Sequence, residues 1–147
     1  MKTVIIKISF ALMLVVCIKS SYAQCNKNFI LEANKTDFMD TAGRVTRSQE
    51  KPVDISLKDS VLTIQFGDNR DQVLTGKINK SVCTYKTPFK EGKMVIFADL
   101  SNPAGIHQTA TLKLSTNAGN TTITYTSLER PNIRIQLSAD KFEELKN

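Results

Sequence analysis

Val73 to Leu100, VLTGKINKSVCTYKTPFKEGKMVIFADL, decides the fold class of this chain. It contains Cys83 and the turn signal Thr87-Pro88-Phe89-Lys90-Glu91-Gly92. After the turn comes Met94-Val95-Ile96-Phe97-Ala98, a run apolar on both faces that predicts a buried central strand. Together these features predict the middle hairpin of an all-β domain, with further strands wrapped on either side.

The same alternation extends outward from that hairpin. Upstream, Val53, Ile55 and Leu57 alternate with polar residues, and Lys58-Asp59-Ser60 turns the chain into Leu62, Ile64 and Phe66, which share one face. Gly67-Asp68-Asn69-Arg70-Asp71 forms the next turn. Arg44 to Glu50 predicts a polar strand at a sheet edge, and Asn28 to Asp40 is only weakly patterned. Downstream, Asn102-Pro103-Ala104-Gly105 turns into a row of Ile106, Gln108, Ala110, Leu112 and Leu114, opposite His107, Thr109, Thr111 and Lys113. Asn117-Ala118-Gly119-Asn120 leads to Thr121–Leu128, and Arg130-Pro131-Asn132 to Ile133, Ile135 and Leu137. The tail, with Phe142 and Leu145 three apart, predicts one helical turn or a frayed end. No amphipathic helix of useful length interrupts the pattern. The spacing predicts an antiparallel meander of about eight to ten strands, closed as a barrel in preference to a β-sandwich.

The N-terminus belongs to a different regime. Lys2 and Lys7 precede the apolar run Ile8–Ile18, and Ser21-Tyr22-Ala23 offers small residues where a signal peptidase reads. The run falls short of the roughly 20 residues that a membrane-spanning helix needs. Residues 1–23 are therefore expected to be a cleaved export signal, and 24–147 a single β-domain in the periplasm or outside the cell. Removing Lys2, Lys7 and Lys19 from the 20 basic side chains leaves 17 against 14 acidic ones, a net of +3. These charges are scattered, which argues against nucleic acid as a partner. Cys17 leaves with the signal. Cys25 and Cys83 then form an even pair in an exported chain, read most simply as a disulfide. The alternative is a lipid anchor at Cys25 at the cell envelope, disfavoured because Tyr22-Ala23-Gln24 lacks the small residue expected next to such a cysteine.

Catalytic chemistry finds little support. His107 is the only histidine and stands on the polar side of its strand, with no carboxylate two residues away to complete a metal site or a base. There is no nucleophile elbow, phosphate loop or dinucleotide fingerprint. Asp68 and Asp71 lack the ligand spacing of a calcium loop. The expectation is a non-enzymatic protein with no metal and no cofactor.

The start Cys25-Asn26-Lys27-Asn28-Phe29, the stretch Cys83–Lys93 and the closing strand Ile133-Arg134-Ile135-Gln136-Leu137 resemble a group of small secreted proteins of unknown role from Bacteroidetes-type bacteria. More distantly, the chain is similar to lipocalin-like β-barrels. Phe29 stands where that architecture wants an aromatic, in a chain without Trp. A lipocalin-like barrel implies a cavity for a small, mostly apolar ligand. Its expected lining is Leu62, Ile64, Phe66, Ile96, Ala110, Leu112, Ile123, Tyr125 and Ile135. The alternative function is an envelope accessory domain that binds another protein through its surface or an edge strand, with Arg44–Glu50 as the candidate edge.

Overall fold

Residues that alternate inward and outward along every strand can bury their apolar half only by curling around one another, and the chain does so. The computed structural model describes residues 25, 27–68 and 72–146. The proposed export signal, residues 1–23, lies outside the described residues. Nine strands follow in order: β1 Phe29–Met39, β2 Val45–Lys58, β3 Val61–Phe66, β4 Val73–Thr87, β5 Glu91–Ser101, β6 His107–Asn117, β7 Asn120–Ser127, β8 Arg130–Ala139 and β9 Lys141–Glu144. From β2 to β8, consecutive strands pair antiparallel, and β1 pairs with both β2 and β8, so the sheet closes. β9 continues β8 along the same edge of β1. The architecture is thus an eight-stave antiparallel meander barrel, as in lipocalin-like barrels, and not a sandwich.

The weakly patterned N-terminal segment turns out to be β1, the strand that closes the barrel. Its alternation is hidden by an irregularity. Phe29, Leu31 and Ala33 point inward, Asn34 and Lys35 are both exposed, and Thr36 and Phe38 resume the inward row one residue out of phase. Opposite this step lie Lys51 and Pro52, between the paired residues Glu50 and Val53. Proline has no N–H to give a ladder and sits well at such a break. On the other side of β1, the Asn34 N–H donates to the Asp140 carboxylate at 2.9 Å, and the Asp140 N–H donates to the Glu32 carbonyl at 2.8 Å. The tail is therefore a strand, not a helical turn. Phe142 packs edge-on to Phe29, with ring centroids 5.4 Å apart, and this contact gives the last stave its hold.

The two faces also differ from expectation on β5. Met94, Ile96 and Ala98 are buried, but Phe97 is 38% exposed and Val95 is half-buried. The run apolar on both faces marks one inward row and an outer face that water reaches, because a barrel covers only the inside of its sheet. Elsewhere the outer face carries Lys77, Lys93, Asp99, Thr111, Lys113 and Thr124. Among the described residues the core consists of 18 buried apolar residues from every strand of the barrel but β4, including Leu31, Ile55, Leu62, Ile96, Leu112 and Ile123. Burying each such side chain contributes roughly 1.5–3 kcal/mol. Among the described residues, no helix is long and apolar enough to cross a membrane.

The barrel's two ends are unlike. At one end lie the start of β1, the end of β9 and the turns 59–60, 88–90 and 118–119. Here β4 runs on beyond its pairing with β3, which stops at Lys77. The N-terminal segment is tied to this free length by the Cys25–Cys83 disulfide, whose Cα atoms lie 5.6 Å apart. Phe89, at the tip of the β4–β5 turn, stacks edge-on against Phe142 at 4.9 Å and lies 6.4 Å from the Tyr85 ring. This aromatic chain fills that end. The other end carries the connections 40–44, 102–106 and 128–129, with Gly67, Asp68 and Gln72 of the β3–β4 connection.

Candidate functional site

At the second end the inward rows change character. The row on β6 runs from Leu114, Leu112 and Ala110 to Gln108, and the row on β2 from Leu57, Ile55 and Val53 to Lys51 and Gln49. Apolar side chains give way to amides and a cation, so the interior opens instead of packing shut. The result is a cavity of about 510 Å³ at the mouth of the barrel. Its apolar wall is made by Phe38, Val53, Phe66, Leu74 and Ile135. Its rim carries Lys51, Arg130 and the amides of Gln49, Gln72, Asn102 and Gln108. An adjoining recess of about 160 Å³ shares Phe38, Phe66, Leu74 and Ile135, and reaches in to Tyr125 and Ser127.

Local hydrogen bonds shape this mouth. In the β5–β6 connection the Ile106 N–H donates to Asn102 Oδ1 at 2.9 Å, and the Gly105 N–H to the Asn102 carbonyl at 2.9 Å. That turn swings Ile106 out of the inward row in which the alternation places it, leaving it 66% exposed on the cavity lip. Between β7 and β8, Glu129 accepts from the Thr109 N–H at 2.8 Å and from the Ser127 hydroxyl at 2.6 Å. These bonds, the Ser127 one foremost, hold its carboxyl below its ordinary value. Tyr125, at the back of the recess, is pushed up to about 12, first by burial and second by the negative charge of Glu129. On the β1–β2 side, the Arg47 guanidinium lies 4.3 Å from the Phe38 ring centroid, and Arg44 bonds Asp40 at 2.8 Å.

The sequence-predicted lining residues divide by depth. Phe66 and Ile135 stand on the cavity wall, and Tyr125 stands in the recess. Leu62, Ile64, Ile96, Ala110, Leu112 and Ile123 all point inward but lie in the packed core below the cavity. Period-two alternation reports which way a side chain points, not how far along the barrel it sits. Sequence reasoning missed Thr36, Phe38, Val53 and Leu74, and all of the polar rim except for noting Gln108 in its inward row. The available signal was the appearance of Gln108, Gln49 and Lys51 in otherwise apolar rows.

The remaining candidates scatter. His107 is exposed at the start of β6. Among the described residues no group of three or more His, Cys, Asp or Glu side chains is placed to hold a metal ion. The predicted edge is present in part: Val45–Glu50 of β2 pairs with β1, while pairing with β3 begins only at Val53. No protein-family model and no curated protein matches the sequence of this chain.

Proposed function

We propose that the protein is an exported, non-enzymatic carrier that holds a small, mostly apolar molecule in the mouth of its barrel. The observation that carries this reading is the half-filled interior: one end is sealed by Phe29, Phe142, Phe89 and Tyr85, and the other holds a cavity of about 510 Å³ with an apolar wall. Ligand pockets generally measure roughly 300–1,000 Å³, and an eight-stave barrel is just wide enough for one small guest. Export is supported by the signal-like sequence before Ser21-Tyr22-Ala23 and by the disulfide, which persists in oxidising compartments. A Cys25 sulfur engaged with Cys83 is not free for a lipid thioether, which favours a periplasmic or secreted protein over a lipid-anchored one.

Native mass spectrometry of protein exported to a periplasm, with no ligand added, tests the carrier directly. A reproducible adduct of a few hundred daltons, lost on denaturation and weakened by Leu74→Trp, is expected. The bare mature mass in every preparation, together with no uptake of apolar fluorophores, would refute the carrier. A second reading rests on the unpaired outer length of β2, where Val45–Lys51 offers a backbone edge to a partner strand from another protein. Under that reading, reversing the charges of Arg44 and Arg47 weakens partner capture and leaves small-molecule uptake intact.

A further inference from the structure

The cavity rim is charged on one side of the balance only. Among the described residues Lys51 and Arg130 line it, and no aspartate or glutamate does. Among the described residues no hydrogen bond or salt bridge engages either side chain. The nearest carboxylate in sequence to Arg130, that of Glu129, is already taken by the Thr109 N–H and the Ser127 hydroxyl. Elsewhere on the surface some cations are paired, Lys27 with Glu144, Lys86 with Glu91, Lys141 with Glu32 and Glu143, and others, such as Lys77, Lys93 and Lys113, stand exposed on the outer face away from the cavity.

The distribution of arginine points the same way. Every arginine among the described residues (Arg44, Arg47, Arg130 and Arg134) lies on the segments that form the mouth end, while the lysines are spread over the barrel. Guanidinium groups suit carboxylate and phosphate oxygens because their planar fork offers paired N–H donors. Arg44 is held by Asp40 and Arg47 covers Phe38, which leaves Arg130 as the arginine on the cavity itself. The amides of Gln49, Gln72 and Gln108 add neutral donors at the same level.

We infer that the guest is an amphiphile with an anionic head: its chain lies against Phe66, Leu74 and Ile135, and its carboxylate or phosphate sits at the rim between Lys51 and Arg130. This rests on the carrier reading and narrows it, since a purely apolar guest has no use for two cations at the entrance with no carboxylate beside them among the described residues. A hydrogen bond to a charged head is worth enough to separate anionic from neutral guests by roughly tenfold or more.

The test is a matched series on the mature, disulfide-bonded chain: octanol, octanoate, octyl phosphate and octyltrimethylammonium, each titrated calorimetrically below its micellar concentration. The expected result is binding of octanoate, octyl phosphate or both at least tenfold tighter than octanol, with the cationic amphiphile weakest. Lys51→Gln and Arg130→Gln, both at exposed positions, should erase that preference, weakening the two anions at least tenfold more than octanol. A preference for octanoate alone assigns a carboxylate head, and one for octyl phosphate alone a phosphate head. Equal affinity for octanol and the two anions overturns the anionic-head assignment while the carrier stands. No binding by any of the four overturns both.

Discussion

Tyr85 carries an isolated polar atom: its hydroxyl is buried and has no hydrogen-bond partner among the described residues. A buried donor left unmatched costs about 1–3 kcal/mol, so Tyr85→Phe removes a penalty while keeping the ring that packs on Phe89. The variant should be as stable as the parent or more stable by about 1 kcal/mol, measured by urea unfolding of the mature chain. A clear loss of stability would mean that the hydroxyl has a partner after all. The same isolation pushes the Tyr85 hydroxyl up to about 12 through burial. Because the folded value is raised, its contribution to stability is whole below the ordinary value near 10 and is lost as pH rises through the folded one. Ala118 is strained in another way. Its φ is +50°, followed by +83° at Gly119, the backbone of a turn that favours Asn-Gly. Ala118→Asn should therefore stabilise the chain by about 0.5–1 kcal/mol, visible as a shift in the urea midpoint at constant slope.

At the scale of elements, the disulfide compensates for a mismatch in strand length. β4 has 15 residues and β3 only 6, so much of β4 has no neighbour on that side. Cys25–Cys83 pins the start of the chain to this length across a sequence separation of 58. Closing a loop of that size in the unfolded chain is worth about 4 kcal/mol by chain entropy, and measured values run near 2–4 kcal/mol. Cys25→Ser combined with Cys83→Ser should cost about 2–4 kcal/mol in urea unfolding. It should also raise amide exchange in Asn79–Thr87 more than in β6, whose pairing does not depend on the link. The element scale also shows what the sequence conveyed. The meander and seven of the strands, β2 to β8, follow from simple alternation bounded by turn residues, and the cysteine pair follows from its even count in an exported chain. β1 was obscure because its inward row changes phase at Asn34 and Lys35, and such a step depends on the neighbouring strand. The short last strand was obscure because Lys141–Glu144 is held by β1 and by Phe29, contacts from the opposite end of the chain. The cavity was the least legible feature. Its wall joins β1, β2, β3, β4 and β8, brought together only by closure, and only polar residues in inward rows hint at it.

For the whole molecule, the difference between a sealed end and an open end becomes a difference in stability. The carboxylates held below their ordinary values cluster at the open end. Asp37 is lowered chiefly by the Ser48 hydroxyl, Asp40 chiefly by the Arg44 backbone N–H, and Glu129 chiefly by the Ser127 hydroxyl. For a depressed carboxyl the folded state binds its proton less readily than the unfolded chain does. Its stabilisation is thus complete above the ordinary values of 3.8 for aspartate and 4.5 for glutamate, and it is lost as pH falls through the folded ones. The sealed end is held chiefly by aromatic packing and the disulfide, which do not titrate in that range, with its ion pairs Lys27–Glu144 and Lys86–Glu91 on the exposed surface. Acid should therefore loosen the mouth first. Between neutral pH and about 5, unfolding free energy should change little; below about 4.5 it should fall. The amides of Arg44 and Thr109, bonded to Asp40 and Glu129, should lose exchange protection before those of Ile96 and Leu112 in the core. Glu129→Gln should flatten the upper part of that fall, leaving the Asp37 and Asp40 part in place. If mouth and core amides instead lose protection together at every pH, the barrel unfolds as one unit and its entrance has no stability of its own.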